Sequence, residues 1–267
     1  MVVFAVTMHV SSTLPSGGSQ GDRPDPLHPH PPLKRYYASE EERRRRVSRW
    51  FDQAAVHYNF ITQAMSLGSG HRYRRRALAR AGLSRGMKVL DVACGTGILS
   101  SHAQRVVGPE GLVVGLDLSA GMLRQARQGG VRHLAQGDAE LLPLASGKFD
   151  FLDMGYALRH VADLRATFRE FRRVLKPGGR ILLLEITPPR SRFRRGLVRF
   201  CLGRLVPMIA RLAGGGRGSQ ELMKYYWDTI ETCVAPPVIL EALREAGFSN
   251  AERHVELGIF SEYTAVS

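Results

Sequence analysis

The chain has 267 residues and 44% apolar content, enough for one α/β domain with appended pieces. Its net charge of +14 points to an anionic partner, yet only five of the 38 basic residues are lysine and no recognisable nucleic-acid module accompanies the arginines, so nucleic acid is disfavoured and an anionic membrane surface fits at least as well. Three widely spaced cysteines, Cys94, Cys201 and Cys233, argue against a disulfide framework or a zinc cluster and for a reducing compartment, and no stretch approaches the about 20 uncharged apolar residues of a membrane-spanning helix.

Residues 1–38 contain Leu14-Pro15-Ser16-Gly17-Gly18 and His28-Pro29-His30-Pro31-Pro32, and this composition predicts a disordered tail. The apolar opening Met1 to Val10 lacks a basic leader and reads as tail rather than signal, and the alternating histidines without a scaffold are not expected to hold a metal. Order is expected from Ser39, where Ser39-Glu40-Glu41-Glu42 resembles a helix cap with first-turn acids and Val47, Trp50, Phe51 and Ala54 follow at helical spacing. Arg43 to Arg46 are expected to be solvated on that helix. A second helical stretch is predicted over 58–81, interrupted around Gly68-Ser69-Gly70.

Strands are then predicted over 88–92, 113–117, 131–136, 149–155 and 180–185, with helices over 98–107, 120–128 and 164–174, the alternation of a parallel sheet with both faces covered. Val174-Leu175-Lys176-Pro177-Gly178-Gly179 is expected to stop the last helix, because proline cannot continue it. Beyond Glu185 come Pro188-Pro189, an arginine-rich apolar segment over 193–213, a Gly214-Gly215-Gly216 break, helical stretches around Tyr225 and Leu240, and two short antiparallel strands near 251–255 and 258–265.

The chemistry is concentrated at strand ends. Val89-Leu90-Asp91-Val92-Ala93-Cys94-Gly95-Thr96-Gly97 is an apolar strand that runs through an acid into a glycine turn, where the missing side chains of Gly95 and Gly97 allow a sharp turn and close approach of a ligand. Asp117 ends the next apolar run 26 residues after Asp91, and Asp138 follows a third run, so three acids are placed along the carboxyl edge of the sheet. An acid at the second strand end can accept two hydrogen bonds from a ribose diol. A dinucleotide fingerprint wants glycine or alanine where Ser100 stands, and no lysine follows the turn as in a P-loop. What remains is the acid-rich pattern of a class I S-adenosylmethionine (AdoMet) methyltransferase.

Further segments narrow this pattern. Tyr58-Asn59, Met65-Ser66-Leu67-Gly68 and His71-Arg72, then Tyr156-Ala157-Leu158-Arg159-His160, the Arg173 to Gly179 turn, Leu184-Glu185, and Tyr225 through Ile230 leading to Ala246-Gly247-Phe248 together resemble the UbiE family of quinone C-methyltransferases and its mitochondrial Coq-type relatives, from about Val47 onward. The resemblance implies a Rossmann-like, mostly parallel seven-stranded α/β sheet, divided into N-terminal helices (39–82), an AdoMet-binding core (83–187), a helical substrate lid (188–248) and final antiparallel strands (249–267).

It also implies site residues. Asp91, Ala93, Gly95, Thr96 and Gly97 would form the cofactor turn, Asp117 with Leu118 and Met122 the ribose side, and Asp138 with Ala139 the adenine side. Gly155 stands where the family has a serine, and Tyr58 and His71 would close over the cofactor. Arg159 would stabilise a developing phenolate, its alternative being an ion pair with a neighbouring acid. His160, where the family has asparagine, has a side chain suited to act as base near neutral pH, although a histidine there is more often structural. Trp227, Tyr225 and Tyr226 would line a substrate pocket or form lid core. No metal is implied.

The activity implied is methylation of a ring carbon in a polyprenyl benzoquinol, naphthoquinol or related phenolic, by a cytoplasmic enzyme with a peripheral contact on the inner membrane and a homodimeric state as extensions. In an ideal helix Arg195 and Arg199 project opposite Arg204 and Arg211, and Pro207 interrupts, so no single polar face is expected in 194–212. The alternatives are an O- or N-methyltransferase of another small molecule or phospholipid headgroup, and a basic RNA-associated AdoMet-binding protein.

Overall fold

The structure is a computed structural model that describes residues 25–66, 69–189, 191–201, 204, 208 and 217–267, without the side chains of 57–66, 69, 194, 217–220 and 223. Seven strands form one sheet in the order β3-β2-β1-β4-β5-β7-β6: β1 (Lys88–Val92), β2 (Leu112–Asp117), β3 (His133–Gln136), β4 (Phe149–Gly155), β5 (Leu175–Ile186), β6 (Ser249–Glu256) and β7 (Phe260–Val266). The first five are parallel, and β7 pairs antiparallel to both β5 and β6. This is the expected α/β class.

Alternation along the strands decides which side chains meet which layer. Leu90, Val92, Leu152, Met154, Ile181 and Leu183 point to one face, where they pack on Phe168 and Phe171. Val89, Phe151, Leu182 and Leu184 point to the other, against Leu78, Leu99 and Ala103. The first face is covered by α5 (Leu164–Val174), whose buried Leu164, Phe168, Phe171 and Val174 recur at helical spacing. The second is covered by α2 (Ser69–Arg80) and α3 (Ile98–Val107).

Helix starts follow local chemistry. Asp163 caps α5 by accepting from the Arg165 amide, and Ser119 caps α4 (Ala120–Gln128) by accepting from the Met122 amide. Three further helices are described: α6 (Arg192–Phe200), α7 (Arg217–Thr232) and α8 (Pro236–Glu245).

Four expectations are corrected. The first helix, α1, runs unbroken over Glu40–Ser66, so the second stretch begins only at Ser69. Strand β5 begins at Leu175 rather than 180, because the Pro177-Gly178-Gly179 turn sits inside a register shift, with Gly178 at φ 78° and its amide bonded to the Ser267 carbonyl.

Residues 25–38 pack onto the domain. The Leu27 amide donates to the Asp163 carboxylate and its carbonyl accepts from the Leu164 amide at the start of α5, the Val234 amide donates to the Pro29 carbonyl, and Tyr36 and Tyr37 are buried with Trp50 and Tyr225. Prolines preset an extended strap whose carbonyls find partners, and the two tyrosines supply the burial that composition alone understated. Residues 1–24 lie outside the described part. Arg43 is buried rather than solvated, held by Glu40 at 2.6 Å and donating to the His160 carbonyl at 2.5 Å.

Candidate active site

Strand order reverses at β1, so the connections after β1 and β4 leave in opposite directions and open a crevice at their carboxyl ends. A cavity of about 760 Å³ occupies that edge. Three cavity-lining residues other than glycine carry left-handed backbone: Ala93 after β1 (φ 53°), Tyr156 after β4 (φ 62°) and Leu257 between β6 and β7 (φ 56°). For an aromatic side chain this is a strained conformation, and such strain gathers at functional sites.

Asp117 organises one end. It accepts from the Gly95 amide (2.8 Å) with one oxygen and from the Ser119 amide (2.8 Å) with the other, which leaves each oxygen a second lone pair for a ligand. Burial raises its pKa to about 6 against the pull of those amides. A Cβ on Gly95 would meet nothing within 4 Å, so the backbone there is open to the cavity. Gly97 does not line the cavity; its Cβ would lie 2.6 Å from Val131 at φ 79°, so this glycine allows packing rather than ligand approach.

Asp91 is buried beside the cavity and accepts from the Ser100 hydroxyl, and burial lifts its pKa to about 6. Its cross-strand partner is Asp153 on β4, buried without another hydrogen-bond partner among the described residues. Burial, and then the neighbouring Asp91 charge, push Asp153 far above the carboxylate range, so it carries a proton between the two. Ala93, Thr96, Leu118, Met122, Ala139 and Gly155 all line the cavity. Asp138 lines it too, with its carboxylate 3.0 Å from Arg44.

At the other end the residues after β4 meet the helices. His160 lines the cavity, edge-on to Phe51 and stacked on Tyr225 with centroids 5.5 Å apart in both cases. Neither ring nitrogen has a hydrogen-bond partner among the described residues. Burial, then Arg159, His30 and Arg43, hold its pKa well below 6.5, so the ring is neutral at pH 7.

Arg159 is placed differently from expectation. It is fully buried, does not line the cavity, and bonds Glu185 at 2.5 Å and Thr229 at 3.2 Å while lying 3.9 Å over the Tyr226 ring. The ion pair is what the chain builds there. Glu185 also accepts from the Leu158 amide, so the pair locks the segment after β4 against α7. Removing one partner of such a buried pair strands a charge, which makes Arg159 a positioning residue.

Comparison with known proteins decides the assignment. A sequence model of the ubiE/COQ5 methyltransferase family matches residues 38–266. The chain belongs to that family. It is 35% identical to a demethylmenaquinone methyltransferase of Symbiobacterium thermophilum over 79% of this chain and 87% of that protein. It is 32% identical to a 2-phytyl-1,4-naphtoquinone methyltransferase of Thermosynechococcus vestitus over 78% and 92%.

Among solved structures, a possible histamine N-methyltransferase of Thermotoga maritima matches at TM-score 0.58 and 18% identity over 82% of this chain and 99% of that one. A SAM-dependent methyltransferase of Aquifex aeolicus matches at 0.52 and 20%, over 72% and 88%. These two share the fold. The protein is an AdoMet-dependent methyltransferase.

The cavity of the methyltransferase fits AdoMet on its own evidence: an acid with free lone pairs for a diol, an open glycine backbone, and the arginines Arg72 and Arg74 to balance a carboxylate. Because the cofactor carries a sulfonium, ionised Asp117 and Asp91 favour it. Binding should therefore be full above about pH 7 and weaken through pH 6 by up to about tenfold per pH unit for each acid protonated, as isothermal titration calorimetry from pH 7.5 to 5 would show. A flat profile would contradict this.

At Gly155 an added Cβ meets only Leu99, at 3.4 Å, so Gly155→Ser is accommodated and its hydroxyl reaches the cavity. The gain expected from one hydrogen bond is about two- to tenfold tighter AdoMet binding, and weaker binding by calorimetry would count against that placement.

Several placements differ from the sequence reading or extend it. His71 is absent from the cavity lining and pairs with His102 instead, Nδ1 to Nε2 at 3.0 Å. Of the three aromatic residues on α7, Tyr226 lines the cavity, Tyr225 joins the aromatic cluster under it, and Trp227 is buried beside Ile230. The Tyr58 side chain lies outside the described residues. Asp52 went unnoticed: its carboxylate accepts from the Gly121 amide and the Ser119 hydroxyl, tying α1 to the start of α4. Asp153 also went unnoticed, although an acid inside the apolar run of β4 was its signal.

Proposed function

We propose that the methyltransferase acts on a ring carbon of a lipophilic quinol, the class named for its relatives. The observation that carries this reading is His160 in the cavity wall: a neutral imidazole with neither nitrogen partnered among the described residues, set beside Phe51 and Tyr226 and stacked on Tyr225. A flat aromatic ring suits those faces, and a ring hydroxyl suits that nitrogen. AdoMet, when bound, supplies the methyl group as an electrophilic carbon on a sulfonium.

The chain's own residues make the ring nucleophilic. His160 accepts the hydroxyl proton, which leaves the electron pair on oxygen and raises electron density at the adjacent ring carbon. Protonation makes the imidazole cationic beside the new phenolate, so each charge offsets the desolvation of the other. Arg159 and Glu185 hold the His160 segment in place from behind. Ile186, Val198, Ile259 and Phe260 give the rest of the cavity an apolar wall suited to a prenyl tail.

Complementation tests the reading. In a bacterium lacking quinone C-methylation, wild type should restore the methylated quinone while Asp117→Ala does not. A soluble wild-type protein that fails to restore it contradicts the proposal.

A further inference from the structure

The first helix after the sheet core has an exposed apolar stripe with no neighbour to cover it among the described residues. On α6, Phe193, Leu197 and Phe200 are 82%, 55% and 54% exposed, and their spacing of four and then three residues puts them on one side of the helix. Arg192, Arg195 and Arg199 fall at a spacing of three and four on a neighbouring side, and all three are exposed. Val198, pointing elsewhere, packs toward Tyr226, Trp227 and Ile230 and fixes the helix on the domain. Within Arg192–Phe200 the arginines whose side chains are described thus share one side, while Pro207 and Arg211, on which the expectation for 194–212 also rests, lie outside the described residues.

Position makes the stripe more than a surface irregularity. Leu197 also lines the cavity, and so does Leu257, 75% exposed in the turn between β6 and β7. Two separate elements thus present bare apolar side chains at the rim of one cavity. An apolar stripe flanked by arginines is the pattern of a helix lying in the headgroup region of a bilayer, and the chain's net charge of +14 favours an anionic one.

We infer that α6, together with Leu257, docks the protein on an anionic phospholipid bilayer with the cavity rim against the membrane. The surface rests on exposed residues and charge, not on the identity of the methyl acceptor. No helix among the described residues is long and apolar enough to cross a membrane, so the contact is a surface one.

Vesicle flotation with the full chain tests it. Vesicles of phosphatidylcholine with about 30% phosphatidylglycerol at low salt should carry the wild type, and pure phosphatidylcholine or about 0.5 M salt should lower binding at least tenfold. Phe193→Ser with Phe200→Ser should lower binding at least tenfold, and Arg192→Gln with Arg199→Gln about thirtyfold, taking about fivefold per arginine. Neither pair touches the cavity, so AdoMet binding should be unchanged and reports that each variant is folded.

The inference is overturned if wild type ignores the anionic vesicles, if it binds neutral ones equally, or if the phenylalanine variant binds as wild type does. It is also overturned if sedimentation shows a wild-type dimer that the phenylalanine variant dissolves, because the stripe then belongs to a second copy.

Discussion

Asp117→Ala should abolish measurable AdoMet binding, with Kd raised by at least about 100-fold. Two effects combine. The carboxylate at the end of β2 is proposed as the ligand's acceptor, and hydrogen bonds to a charged group contribute about 1.5–3 kcal/mol each. The same carboxylate holds the Gly95 and Ser119 amides, so its removal also frees the glycine turn and the start of α4. Asp117→Asn separates the contributions, because its amide oxygen still accepts one backbone bond; it should bind AdoMet more tightly than the alanine variant and more weakly than wild type. Calorimetry on both, with circular dichroism to confirm the fold, checks this. An alanine variant within about fivefold of wild type would remove Asp117 from the cofactor site.

His160→Ala should lower kcat by about 100-fold, the lower end of what a positioned general base contributes, while the Kd for AdoMet changes by less than about threefold. The split matters because a merely structural histidine would disturb both. Its pH signature is also specific: the ring is held neutral by burial and by Arg159, His30 and Arg43, so with AdoMet saturating the acid limb of kcat lies below pH 6.5 and should vanish in the variant. Equal kcat values for the two proteins, or an unchanged acid limb, would assign the base to another group.

Much of the architecture was legible because short-range chemistry fixes it. The helices over 98–107, 120–128 and 164–174 match α3, α4 and α5, whose ends are set by Gly97, Ser119 and Asp163, and β1 and β4 match because their apolar runs stop at turn residues. What escaped depends on distant partners. Nothing near Tyr36 and Tyr37 announces that they bury against Trp50 and Tyr225, and nothing in the Lys176 to Gly179 turn announces that Ser267 will clip it into β5.

The site divides the same way. The positions of Asp117 and Gly95 at the cavity were readable because one strand end and one turn suffice to fix them. Arg159 was readable as important but not as buried, since its fate is decided by Glu185, 26 residues on, and Thr229, 70 residues on. His160 is enclosed by Phe51 and Tyr225, which α1 and α7 deliver from opposite ends of the chain.

Where the methyl group lands is the most direct measurement. Purified protein should be incubated with methyl-labelled AdoMet and a chemically reduced demethylmenaquinol or demethylubiquinol, and the product analysed by mass spectrometry and NMR. Label on a ring carbon, lost in His160→Ala, is the expected outcome. Label on oxygen or nitrogen, or turnover only with hydroxyl or amine acceptors, would show that this cavity serves a different methyl acceptor.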